Sequence, residues 1–154
     1  MFFTIIIFLV VLTLLVLVHE FGHFITARKV GMRVYEFGMG FPPRLFGIYR
    51  DPVTKRFKIV WGKGKSNLSG TGGGDERVEE FPATLYSVNW LPIGGFCKIK
   101  GESGEGALEK DSFAHHTPGK RLIVLLAGVV MNILLAAVLF AIGLMIGLPA
   151  DISG

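Results

Sequence analysis

Two long stretches without a charged residue limit what this chain can fold into. Phe2 to Val18 is a run of seventeen uncharged residues, and the segment continues, with His19, Glu20 and His23 embedded in it, as far as Arg28 and Lys29. Leu122 to Leu148 is a second uncharged run, of twenty-seven residues. About 20 apolar residues cross a bilayer core as a helix, because in lipid each backbone N–H and C=O must find its partner within the segment. Both runs therefore predict membrane-spanning helices. Half the residues (51%) are hydrophobic, and their concentration at the two ends excludes a disordered chain and argues against an ordinary soluble domain. A secretory signal peptide does not fit the first run, since no basic stretch precedes it and no small-residue cleavage site follows.

Local signals bound these helices. Gly31 is a stop for the first. Thr117-Pro118 reads as an N-cap followed by proline at the first helical position of the second, and Pro149 ends it. Gly22, Gly128, Gly143 and Gly147 allow close helix approach.

All sixteen Lys and Arg lie between Arg28 and Arg121. They crowd the near-membrane parts, as Arg28, Lys29, Arg33 and Arg44 on one side and Lys110, Lys120 and Arg121 on the other. The positive-inside rule then places residues 28–121 in the cytoplasm and both termini outside, in a multi-pass membrane protein. The basic residues behind the net charge of +4 are interleaved with ten acidic ones in the same region, which argues against a basic binder of nucleic acid or of membrane surfaces. No nucleic-acid partner is expected, and the two spans make membrane lipid the expected surroundings. A lone Cys97 excludes a disulfide framework and a thiolate zinc finger, and fits the reducing side of the membrane. On this topology the sequon Asn67-Leu68-Ser69 never meets the glycosylation machinery.

The middle region is β-rich in pattern. Phe57 to Trp61 alternates as a strand does. Thr84 to Leu91, the turn signal Pro92-Ile93-Gly94-Gly95, and Phe96 to Lys100 together predict a hairpin. Six glycines between Gly62 and Gly74 predict a flexible loop. The expected organisation is a membrane α-helical protein. Helix 1 takes residues 1–30, a β-rich, hairpin-containing cytoplasmic or membrane-associated insertion 31–117, helix 2 118–149, and the start of an external domain 150–154.

His19-Glu20-Phe21-Gly22-His23 carries the chemistry. On a helix, positions i and i+4 share a face, so two imidazoles at this spacing can grip one Zn²⁺ while the intervening carboxylate serves as general base. The alternative is a helix with a solvated polar face. Its placement inside an apolar span weighs against that, because an ionisable residue near a bilayer centre costs about 2.5–3.5 kcal/mol on insertion scales and is by default functional. In this chemistry zinc activates a water, Glu20 takes its proton and later delivers one to the leaving amine, and His19 and His23 act only as ligands. Asn132, in the middle of the second span, is read as an interhelical hydrogen bond, with a role in steadying the site or a substrate carbonyl as the other reading. His115 and His116 read as a solvated pair, and Cys97 as a small apolar filler.

An HExxH in the first membrane helix resembles the site-2 protease family of intramembrane zinc metalloproteases, in particular its bacterial regulator of sigma-E protease branch. Glu36-Phe37-Gly38-Met39-Gly40-Phe41 resembles the family's glycine-containing segment after the first helix. Leu91-Pro92-Ile93-Gly94-Gly95-Phe96-Cys97-Lys98-Ile99 resembles its hairpin, with Cys97 where valine is usual. Ala127-Gly128 and Asn132 resemble a stretch of its second helix, with Val129 where proline is usual. The resemblance implies hydrolysis of peptide bonds in transmembrane segments of membrane proteins, with an anti-sigma factor or signal-peptide remnants as substrates. It also implies that Pro92, Gly94, Gly95, Phe96 and Asn132 contact substrate, the hairpin dipping into the membrane to clamp an extended peptide. The family's third ligand is an aspartate in a later span. Here aspartates occur only at 51, 75, 111 and 151, in other contexts. The expectation is therefore an N-terminal fragment of a longer protease, inactive or nearly so by itself. The competing reading is a non-catalytic relative that binds membrane segments without cutting them.

Overall fold

A computed structural model describes residues 1–62, 81–104 and 106–147. The glycine-rich stretch after Gly62, the Asn67 sequon and residues 150–154 lie outside the described residues. The elements run in the order helix α1 (Phe2–Lys29), strands β1 (Val34–Arg50), β2 (Phe57–Trp61) and β3 (Leu85–Ile99), and helix α2 (Pro118–Ile146).

No proline interrupts α1, and the helix passes unbroken through His19 and His23. It ends as the sequence leads one to expect. Gly31 takes a φ of +90°, open to a residue without Cβ, and lets its own N–H reach Arg28 O (3.3 Å) while Met32 N–H reaches Ala27 O (2.9 Å). These two bonds satisfy carbonyls that a helix end would otherwise strand. α2 begins at Pro118 with Thr117 in the N-cap position, although the Thr117 hydroxyl makes no capping bond. It closes at Gly147, two residues before the expected stop at Pro149, because the chain there turns to a φ of +93°.

Both helices are long and apolar enough to cross a membrane, and only 6% and 11% of their most apolar windows are buried within the protein. A core helix of a soluble domain would be mostly covered. These two turn Ile, Leu, Val and Phe outward, a surface that apolar surroundings favour.

Between them lies a three-stranded sheet in the order β2-β1-β3. The β1–β3 ladder is antiparallel, with Val34 opposite Ile99, Phe37 opposite Cys97 and Ile48 opposite Tyr86. One expectation is corrected here. The runs before and after Pro92–Gly95 are not the two arms of a hairpin, but one continuous strand that bends and pairs throughout with β1. The reason is that β1 bends too. Residues 36–39 of β1 lie beside 95–98 of β3 and also beside 85–88, so β1 occupies the space into which a hairpin would close. Glycine makes the double bend possible. Gly40 (φ +79°) and Gly94 (φ +75°) hold left-handed conformations at the two bends, and a Cβ on Gly40 would collide with the Leu91 carbonyl oxygen.

The apolar core sits where α1, α2 and the sheet meet. Phe24 and Ala27 of α1, Met32, Val34 of β1, Ile99 of β3 and Val124 of α2 are buried together, with Phe37, Cys97 and Phe113 packed against them. Deeper in the sheet Arg44 donates to Glu36 at 3.2 Å, both side chains almost fully covered, and Asn89 Nδ2 donates to Gly40 O at 3.0 Å. Lys100, buried, reaches Glu109 (2.5 Å) and Asp111 (2.9 Å) and ties down the loop that leads to α2. These carboxylates hold the Lys100 ammonium well above the ordinary lysine range, and Lys100 in turn lowers Asp111. His116 is not the solvated residue expected. It is half-buried, with Nδ1 against Ser112 O (2.8 Å) and Nε2 against Val30 O (3.2 Å), fastening the same loop to the end of α1.

Two stability predictions follow from these pairs. Glu36→Ala, by removing the carboxylate that the buried Arg44 guanidinium donates to at 3.2 Å, lowers unfolding stability by about 1–3 kcal/mol in a detergent-based denaturation, whereas replacing both residues with apolar ones of similar size costs less. At the β1–β2 turn, Lys58 and the Val53 and Thr54 N–H groups pull the Asp51 carboxyl down to about 2. A depressed acid stabilises the fold above its unfolded value, near 4, and loses that contribution as pH falls toward the folded one. Amide protection at Val53 and Thr54 is therefore full at neutral pH and falls between about 4 and 2.

Candidate metal centre

One helical turn separates His19 from His23, so both imidazoles project from one face of α1 with ring centroids 4.8 Å apart. Ligand-capable atoms of His19, Glu20 and His23 all lie within 4.8 Å of one another, and all three residues are half-buried. The face they share is the face that meets α2. Gly22 packs so closely there that a Cβ on it would lie 2.5 Å from Ala127 O. Gly128 is the counterpart on α2: a Cβ at that position would stand 2.5 Å from His19 Nε2 and 2.6 Å from His23 Nε2. Both Nε2 atoms thus converge on a spot that stays free because residue 128 has no side chain.

The remaining ring nitrogens have partners on α2. His23 Nδ1 donates to Val124 O at 2.7 Å, and since a carbonyl only accepts, Nε2 of the neutral ring is left bare. His19 Nδ1 lies 3.4 Å from the Asn132 side-chain amide, whose Oδ1 is buried without a partner. Glu20 faces the Cys97 backbone N–H of β3. It opens with His23, Cys97, Glu102 and Val124 onto a cavity of about 130 Å³. Burial and the Glu20 and Glu102 carboxylates push the Cys97 thiol up, so it stays protonated and fills space as expected.

These residues fit a divalent cation. Two imidazole nitrogens converge, one of them bare when its ring is neutral; a carboxylate stands beside them; and the glycine leaves room where an ion would sit. Of the four aspartates, Asp51 and Asp111 are described, and both are engaged elsewhere, with Lys58 and Lys100. Among the described residues no third ligand joins the pair of histidines beyond Glu20.

The sheet reaches this neighbourhood from the side. Thr13, one of the few buried residues of α1, donates its hydroxyl to Pro92 O (3.3 Å), and Gly95 lies so close to Leu17 that a Cβ there would be 3.1 Å from Leu17 Cδ2. Gly94 packs on Phe41, and Phe96 covers Gly38. Pro92 and Gly95 therefore meet α1 at Thr13 and Leu17, while Gly94 and Phe96 pack on Phe41 and Gly38 of β1. Of the expected substrate contacts, Asn132 is the one within hydrogen-bond reach of a histidine. The sequence reading passed over Thr13, although a hydroxyl in an apolar span is a signal. It could not find the Val124 carbonyl, which every residue type carries.

The family model for peptidase family M50 matches residues 7–62 and 77–149. The chain belongs to this family, the site-2 proteases. Among curated relatives, a candidate zinc metalloprotease of Clostridium acetobutylicum is 33% identical over 141 residues, covering 92% of this chain and 32% of its own length. Another of Campylobacter jejuni is 33% identical over 136 residues, covering 86% of this chain and 28% of the relative. The regulator of sigma-E protease of Salmonella typhimurium is 29% identical over 145 residues, covering 92% and 26%. The chain thus spans about a third or less of the length of these M50 relatives.

Gly128→Ala places a methyl group against both Nε2 atoms. Zinc affinity, measured by competition with a chelating dye, falls at least about tenfold, while circular dichroism shows the helix content unchanged.

Proposed function

We propose that this chain carries the histidine and glutamate part of the active centre of a zinc metalloendopeptidase that cleaves transmembrane segments of membrane proteins. The single observation that carries the reading is the convergence of His19 Nε2 and His23 Nε2 beneath Gly128, between two helices whose most apolar windows are largely uncovered. A zinc ion held by His19 and His23 would supply a Lewis acid for the scissile carbonyl and a water made nucleophilic near neutral pH. Glu20 accepts the proton that water gives up and passes one to the departing amine. His19 and His23 hold the metal and move no proton.

The site's depth follows from helix geometry. At 1.5 Å per residue, His19 lies roughly 15 Å along α1 from the basic pair Arg28-Lys29, and Thr13 roughly 24 Å. With those two cations at the cytoplasmic interface, the centre falls within the hydrocarbon and the β3 bend lies at its depth. Irregular backbone survives in lipid only when protein covers its polar groups, and the Thr13 bond to Pro92 O is such cover. Around the bend Met39, Phe41, Trp90 and Leu91 are exposed and apolar, as a lipid-facing tip requires. Pro92 to Phe96 are then placed to hold an extended substrate segment beside the centre, its backbone pairing with a strand. Substrates of this kind are single-span membrane proteins. An anti-sigma factor is one such class, in keeping with the name of the Salmonella relative. The orientation that fits the charges is both ends of the chain outside and residues 28–121 in the cytoplasm of an inner membrane.

Two measurements test the reading. Elemental analysis of the chain in lipid nanodiscs finds zinc that a chelator removes and that His19→Ala or His23→Ala abolishes; absence of stoichiometric metal overturns it. Glu20→Gln in the protein that carries this chain keeps the zinc and lowers cleavage of a single-span reporter by about a hundredfold or more. A scaffold that only binds membrane segments would not register that change. The 154 residues alone, with two imidazoles and no aspartate at the centre among those described, cleave the reporter slowly or not at all.

A further inference from the structure

We propose that Asn132 is a positioning residue for His19: its amide oxygen accepts the Nδ1–H of that imidazole and so fixes the tautomer whose bare Nε2 faces the metal centre. The inference rests on the metal reading above and deepens it.

The neutral tautomer of His23 is selected by a carbonyl partner. Val124 O can only accept, so Nδ1 carries the proton and Nε2 points its lone pair at the space beneath Gly128. His19 Nε2 points at the same space, but its Nδ1 meets a side-chain amide, which can donate from one end and accept at the other. With Nδ2 turned toward the ring, Nδ1 must be the bare nitrogen. Nε2 then carries the proton and cannot bind a metal, and Asn132 Oδ1 is left buried without a partner.

A half-turn of the amide exchanges its ends at no steric cost, since the two are nearly the same shape. Oδ1 then accepts from Nδ1–H, and Nε2 becomes a ligand. The half-turn moves Nδ2 to where Oδ1 stood, so the asparagine's own bond count does not choose between the two states. The imidazole chooses: only the turned amide makes His19 match His23. Positions 124, 128 and 132 are spaced by four along α2 and share one face. On this assignment that face gives each histidine an acceptor for Nδ1–H on either side of the glycine that makes room for the ion. Orienting partners of this type typically change metal affinity about 10–100-fold when lost.

The test uses this chain in lipid nanodiscs, with zinc as the probe. Affinity is read by dye competition, and histidine tautomers by nitrogen-15 spectra of the metal-free protein. Asn132→Leu, nearly isosteric and unable to accept, weakens zinc binding about 10–100-fold and lets the Nε2-protonated form of His19 appear. Asn132→Asp, an acceptor only, keeps the Nδ1-protonated form and binds zinc at least as tightly as the unsubstituted chain. The proposal is overturned if Asp behaves as Leu does, or if His19 Nδ1 is bare in the unsubstituted chain. Zinc uptake indifferent to residue 132 defeats this inference alone, whereas no uptake by the unsubstituted chain defeats the metal reading and this inference with it.

Discussion

The close approach of two helices governs the rest of the structure. Gly22 on α1 and Gly128 on α2 remove the side chains that would hold the helices apart, and the Ala127 carbonyl lies where a Gly22 Cβ would stand. Only at that separation can the Val124 carbonyl reach His23 and the Asn132 amide reach His19. The metal-binding pattern lies entirely on α1, but the orientation of its imidazoles is set from α2. Glycine weakens a helix in water. Here that cost is offset by contact between backbones, a form of packing that small residues provide in membrane helices.

The sheet depends on the same helix pair in a different way. Its root is the apolar cluster of Phe24, Ala27, Val34, Ile99 and Val124, and its far end is fastened to α1 through Thr13 and Pro92. Two anchors on one rigid helix fix both the position and the tilt of β3, which places the Cys97 N–H against Glu20 between them. Inside the sheet the Glu36–Arg44 pair and Asn89 supply polar partners where β1 bends and its ladder with β3 loses regular register.

Much of this was legible in the sequence, and the parts that were not share a physical cause. The two helices announce themselves by length and lack of charge, and their ends by Gly31 and Thr117-Pro118, because these signals are local. The His19, Glu20 and His23 constellation is local too, since a single helical turn brings it together. The β3 reading failed on a non-local fact. Pro92-Ile93-Gly94-Gly95 does mark a bend, but whether its flanks pair with each other depends on whether another strand lies between them, and β1 is some fifty residues away. His116 was misjudged similarly, as its partner Val30 O is 86 residues distant. Of the expected substrate contacts, Pro92 and Gly95 meet α1, while Gly94 and Phe96 pack against β1. Asn132 lies apart from them, next to His19.

The Val124 carbonyl has a consequence for how this centre can vary. A side chain that orients a ligand can be lost in one substitution, whereas a main-chain oxygen persists whatever residue occupies position 124. Scanning mutagenesis would report Val124 only as a packing position and miss its electronic influence on His23. To alter that influence the whole of α2 has to rotate or slide, and the snug seat at Gly22 resists both. Half of the imidazole alignment is thereby shielded from mutational drift.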